Sequence, residues 1–192
     1  MHGGLWICAI LLGTSASVNE RMTVSICTWG HLPEADVAAG ENTAHSLFHS
    51  AGIDVKWAPC EAGLEGDEAA QQHWFTLRLR DGESFIPAPS GADRTLGEAF
   101  LSEDGDAYIG EVYYQPVQAL AEAHNAEATV LLGYVIAHEL CHLLLGGKHS
   151  QQGVMRAAWD SSDLARMNRG GLKFSPSESA RMRRVLKGTG AH

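Results

Sequence analysis

Three histidines and one glutamate carry the chemistry this sequence can do. His138-Glu139-Leu140-Cys141-His142 sets two imidazoles four residues apart. On an α-helix, four residues turn the chain by about 400°, so both rings stand on one face, one turn apart. Two imidazoles so placed can reach one zinc ion at about 2.0–2.1 Å. Glu139 lies about 100° round the helix from His138, beside that face and not on it. From there its carboxylate can take a proton from water at the ion's open coordination position. Zinc lowers the pKa of such a water to about 7, which makes hydroxide available near neutral pH.

A catalytic zinc needs a third protein ligand and keeps its fourth position for water. Downstream the chain reads Leu143-Leu144-Leu145-Gly146-Gly147-Lys148-His149-Ser150. Gly146-Gly147 can end the helix in a left-handed conformation and turn the chain sharply, which brings His149 back under the metal. Carboxylates at Asp160, Asp163 and Glu178 are the rival third ligands. Gly153-Val154-Met155 then forms a turn ending in a soft, adaptable side chain. Zinc is inferred from ligand type, and cobalt or manganese fits the same set.

With His138, Glu139 and His142, a glycine turn, His149-Ser150 and then Met155, the chain resembles the metzincin clan of zinc metallopeptidases. The His-Ser pair followed closely by Met is most similar to its matrixin-like branch. The segment HELCHLLLGGKHSQQGVMRA, His138 to Ala157, also looks like that of a set of small exported bacterial proteins. The resemblance implies zinc held by His138, His142 and His149, with Glu139 as general base and acid. It implies a turn at Met155 that floors the metal, and the activity of an endopeptidase hydrolysing peptide bonds.

The implied fold is α/β (α+β). It has a small mixed sheet with an antiparallel edge strand, a β-α-β start, a central active-site helix and C-terminal helices. Residues 107–114 are then the edge facing the cleft, to which an extended peptide adds by main-chain hydrogen bonds. Metzincins space the first and third His ten residues apart. Here the separation is eleven, and Leu145 occupies the usual Gly place. Either the helix runs one residue further or Gly146-Gly147 absorbs the extra residue. Cys141, where such helices often have Gly, reads as packing.

The elements that must position these residues are legible in the periodicity. Met22, Val24 and Ile26 alternate with polar residues, so 22–29 reads as a strand. Val37, Ala38, Ala44, Leu47, Phe48 and Ala51 form a helical stripe over 34–51, which Gly52 ends. Ile53, Val55 and Trp57 make a second strand, and the β-α-β order implies parallel pairing with a right-handed crossover. Phe75, Leu77 and Leu79 make a third strand and 107–114 a fourth; 61–72 reads as a surface loop and 81–95 as a loop or lid. Gln115 to His124 is a short helix, and 126–145 is a long, largely apolar helix buried at the centre. Ser175-Pro176-Ser177-Glu178 has the capping-box pattern that opens the second of two C-terminal helices.

Composition bounds the rest. A chain of 192 residues is one domain with room for a sizeable core. Acidic residues outnumber basic ones 23 to 14, a net charge of −9, which disfavours nucleic acid or an anionic membrane as partner. Residues 1–17 have the layout of a secretory signal peptide: an apolar run from Leu5 to Leu12, then small residues around Thr14-Ser15-Ala16. The sequence therefore predicts a secreted or periplasmic chain with one domain over 18–192, a monomer without stable membrane insertion, acting on a peptide or protein. An exported chain permits a Cys27–Cys60 disulfide; three small buried thiols, with Cys141, are the alternative.

His31, His45, His49, His73, His124 and His192 share no ligand spacing and read as surface residues. Trp159, Tyr113 and Tyr114 read as packing before any role in a pocket. Two further functions fit the same residues: an inactive zinc-binding interaction protein, and a zinc hydrolase of a non-peptide amide or ester.

Overall fold

The computed structural model of the chain describes residues 19–60, 73–83, 95–100 and 109–188. The segment 1–17, the loop 61–72 and most of the expected lid at 81–95 lie outside the described residues. Ten elements follow in order: β1 (Glu20–Trp29), α1 (Glu34–Ser50), β2 (Ile53–Pro59), β3 (Trp74–Arg80), β4 (Gly97–Phe100), β5 (Ile109–Tyr113), α2 (Tyr114–Ala123), α3 (Ala128–Leu145), α4 (Ser161–Met167) and α5 (Pro176–Leu186).

The strands form one sheet in the order β2-β1-β3-β5-β4. β1 pairs parallel with β2 and β3, and β3 parallel with β5; β4 runs antiparallel to β5. Alternation explains the inner face: Met22, Val24, Ile53, Val55, Phe75, Leu77, Leu79 and Val112 are all buried in one core. The residues between them take the other face, where Arg78 stands opposite Glu111 in register. The buried Glu111 carboxylate accepts from Arg78 at 3.5 Å and Arg80 at 3.2 Å.

The mixed sheet with an antiparallel edge is as expected, but the edge is a different strand. Residues 109–113 pair on both sides, with β3 and with β4, so the expected edge at 107–114 is an interior strand. The edge is β4, whose four residues, Gly-Glu-Ala-Phe, are too few and too weakly alternating to register as a strand from sequence.

α3 is the central element. It packs against α1, α2, α4 and α5 and against β3, β4 and β5. Every residue from Leu131 to Leu144 is buried, which is why the segment, His138, Glu139 and His142 apart, is apolar all round instead of striped. By length and hydropathy α3 resembles a membrane span, yet 78% of it is buried against the rest of the domain. Its closest crossing is with α1, where backbones meet at two glycines. A Cβ on Gly133 would stand 2.4 Å from Thr43 Cβ and 2.7 Å from the Gly40 carbonyl oxygen.

The two C-terminal helices start with capping boxes, Asp160 with Asp163 in α4 and Ser175 with Glu178 in α5. Cys27 and Cys60 form a disulfide that ties the end of β1 to the residue following β2, and Cys141 is a buried free thiol.

The α1–α3 crossing yields a prediction. Gly133→Ala gains up to about 1 kcal/mol of helix propensity. Overpacking against Thr43 and Gly40 outweighs it, for a net loss of about 1–2 kcal/mol. Urea unfolding reads this as a lowered midpoint; an unchanged or raised midpoint would contradict the close crossing.

Candidate metal centre

The last two turns of α3 carry His138 and His142, both buried, and the turn after it carries His149, which is exposed. The three rings converge through the same atom. His142 Nε2 lies 3.0 Å from His138 Nε2 and 3.2 Å from His149 Nε2. The cluster therefore sits at the rim of the core and opens to solvent on the His149 side.

The local chain path explains the convergence. α3 ends at Leu145, and Gly146 takes φ +82°, a conformation that favours glycine. The helix thus takes in Leu145, the usual Gly place, and the glycine that turns the chain stands one residue later, at Gly146. Its backbone N–H caps the helix on the His142 carbonyl at 2.8 Å. Its own carbonyl accepts from the Lys148 N–H at 3.0 Å, which tightens the turn toward His149.

Two of the three rings are oriented by backbone carbonyls. His138 Nδ1 donates to the Val154 carbonyl at 2.8 Å, and His142 Nδ1 donates to the Gly146 carbonyl at 2.9 Å. A carbonyl oxygen only accepts, so each Nδ1 carries the proton. Burial and the neighbouring rings push His138 down to about 3, and burial also lowers His142 and His149. The two helix imidazoles are therefore neutral, with bare Nε2 lone pairs facing each other at 3.0 Å. No hydrogen bond joins two acceptors, and such a contact is satisfied by a shared cation. The donor set, three imidazole nitrogens within 4.8 Å of one another, fits a zinc-type ion.

Val154 belongs to the loop that closes beneath the cluster. The Ser150 N–H donates to the Met155 carbonyl at 2.7 Å, and Val154 N–H donates to the Lys173 carbonyl at 3.2 Å. Met155 itself is buried. Trp159 sets its ring edge-on to His138, centroids 5.4 Å apart, and donates from Nε1 to the Gly153 carbonyl at 3.3 Å. Trp159 thus packs on the site.

Glu139 is buried beside the histidines, under the edge strand. A Cβ at Gly97 of β4 would stand 2.7 Å from both Glu139 Cγ and Oε1, so only glycine leaves room for this carboxylate. Burial pushes Glu139 up to about 8, with Glu98 of β4 adding to the effect.

The rival carboxylates are engaged elsewhere. Asp160 and Asp163 both bind Arg156 and cap α4. Glu178 binds Ser150 and caps α5. Tyr113 donates to Glu111 at 3.2 Å and Tyr114 donates to Asp36. Cys141 is buried with its thiol pushed up, chiefly by burial, and stands outside the cluster. The carbonyls of Val154 and Gly146 have no signature in side-chain types and were out of reach of sequence reading. Gly97 was missed with its strand.

No family model and no curated protein matches this chain. Solved structures do. Archaemetzincin from Methanopyrus kandleri superposes with a TM-score of 0.54 at 17% identity, over 92% of this chain and 99% of that one. Metalloproteinase-II from Bacteroides fragilis superposes with a TM-score of 0.50 at 15% identity, over 90% of this chain and 55% of that one. The likeness is one of fold: among the described residues this chain has a mainly parallel five-stranded sheet with five helices, in a metallopeptidase-like architecture.

Facing lone pairs predict that a cation stabilises the fold. Zinc held at 100 times its dissociation constant adds about 2.7 kcal/mol. A thermal melt should therefore rise with one equivalent of zinc and fall back with chelator, and His142→Ala should lose the rise. A melt indifferent to zinc would contradict this reading of the cluster.

Proposed function

We propose that this chain is an exported zinc-dependent endopeptidase, with zinc held by His138, His142 and His149. The observation that carries the reading is the convergence of three Nε2 atoms, with His138 followed directly along the helix by a buried carboxylate that an edge strand covers. A structural zinc needs no such carboxylate, because its coordination is closed by protein ligands. The metallopeptidase-like fold supports the same class of chemistry.

Bound there, zinc would supply Lewis acidity, polarising a carbonyl and easing the ionisation of water. The chain's own residues do the rest. Val154 and Gly146 carbonyls hold the protons of His138 and His142 on Nδ1, which keeps both Nε2 atoms as donors to a metal. Glu139 takes the proton from the attacking water and returns it to the leaving amine nitrogen. Burial and Glu98 raise its affinity for protons; a divalent cation held by the neighbouring imidazoles would lower it again and keep the carboxylate ionised, ready to accept. The described part of β4 pairs on one side only, with β5. An extended peptide adding to its other side would lie along the strand that covers Glu139, its main chain held by hydrogen bonds. The substrate strand thus adds to β4 and not to residues 107–114.

Export is part of the proposal. The Cys27–Cys60 disulfide supports it, because such bonds persist in oxidising compartments.

The test is hydrolysis of a mixed peptide pool by the zinc-loaded chain. Cleavage should cease with chelator and return with zinc. Glu139→Gln, which keeps the side-chain volume, should bind zinc normally and lose about 10²–10⁴ in kcat. Cleavage at the unmodified rate by that variant would refute the role of Glu139.

A further inference from the structure

The three imidazoles are not held alike. Carbonyls orient His138 and His142 through Nδ1. Among the described residues, His149 Nδ1 has no such acceptor, and its ring is placed by the backbone on either side. On the N-terminal side that backbone is the Gly146 turn; on the C-terminal side it is Ser150.

Ser150 is gripped from two directions. Its N–H donates to the Met155 carbonyl at 2.7 Å, and it forms a bridge with Arg156. Its hydroxyl donates to Glu178 Oε1, from the first turn of α5. Glu178 is only 5% exposed, and its second oxygen, Oε2, accepts from the Ser175 N–H at 2.7 Å. One buried carboxylate therefore holds both the start of α5 and the residue next to His149. α5 is itself anchored in the core by Met182 and Leu186, and Arg183 donates to the Ala51 carbonyl. It is a rigid platform against which the loop can be fixed.

We propose that Glu178 is a positioning residue for the third imidazole, acting through Ser150 to hold His149 against the two helix histidines. This rests on His149 being a ligand, as read above. A ligand preplaced by a fixed loop gives up less conformational freedom on binding than one on a loose loop, so the clamp acts on metal affinity.

The alternative role for Glu178 is to cap α5 and nothing more. Ser175→Ala separates the two, because it removes the Ser175 Oγ acceptor of the Glu178 N–H and leaves the Ser150 contact in place. The experiment is zinc affinity by competition with a chromophoric chelator, together with the visible spectrum of the cobalt-loaded protein. Ser150→Ala and Glu178→Ala should each weaken zinc binding about tenfold, within the range for partners that orient ligands. The double variant should be no weaker than Glu178→Ala, because both remove one interaction. Their cobalt spectra should shift alike. Ser175→Ala should lower the unfolding temperature and leave affinity and spectrum unchanged. Unchanged affinity in Ser150→Ala, or a loss in Ser175→Ala equal to that in Glu178→Ala, would overturn the proposal. His149→Ala is the reference: unchanged affinity there would overturn the ligand reading itself.

Discussion

Two bare imidazole nitrogens facing each other at 3.0 Å in the rim of an apolar core form an arrangement that protein atoms alone do not stabilise. A proton between them would need a charged ring, and burial opposes that for His138 most strongly of the three. The carbonyls of Val154 and Gly146 remove the other escape, because they fix the Nδ1 tautomer and leave each Nε2 without its hydrogen. What remains is a pocket of lone pairs that a cation completes. Much of the surrounding architecture is explained by the need to build and keep that arrangement.

α3 has to be buried and straight through its last turns, so that His138 and His142 stack one turn apart in a dry setting. Its apolar circumference and its glycine crossing with α1 provide this. The chain then has to reverse within a few residues to bring a third ring home, and Gly146 does so in a conformation that costs other residues strain. The loop from Ser150 to Arg156 must lie close enough for Val154 to reach His138, and its attachments to Lys173 and Glu178 tie it to the C-terminal segment. Gly97 lets the edge strand descend onto Glu139, so the carboxylate is buried by the same strand that offers a main-chain edge.

Much of this was readable from residue types. The helix spacing of His138 and His142, the glycine turn and His149 are local signals, and local signals survive in sequence because they depend on the 3.6-residue period and on backbone sterics. The β-α-β start, the third strand and the Ser175–Glu178 capping box are local in the same sense. The edge strand was not legible. β4 has four residues, one of them Gly97, and its identity as a strand comes from pairing with β5 across the intervening chain. Without it, residues 107–114 read as the edge. The acceptors that orient the rings are main-chain carbonyls, which every residue has. The choice among His149, Asp160, Asp163 and Glu178 likewise turned on tertiary partners: Arg156 claims both aspartates, and Ser150 claims the glutamate.

The metal's immediate neighbours are the most direct point of test. X-ray absorption at the zinc edge, on protein loaded with one equivalent, counts and types the coordinating atoms. Three imidazole nitrogens with their outer-ring scattering, and no sulfur, are expected. A sulfur contribution, which would bring in Cys141, or a spectrum fitted by two imidazoles or fewer, would contradict this coordination.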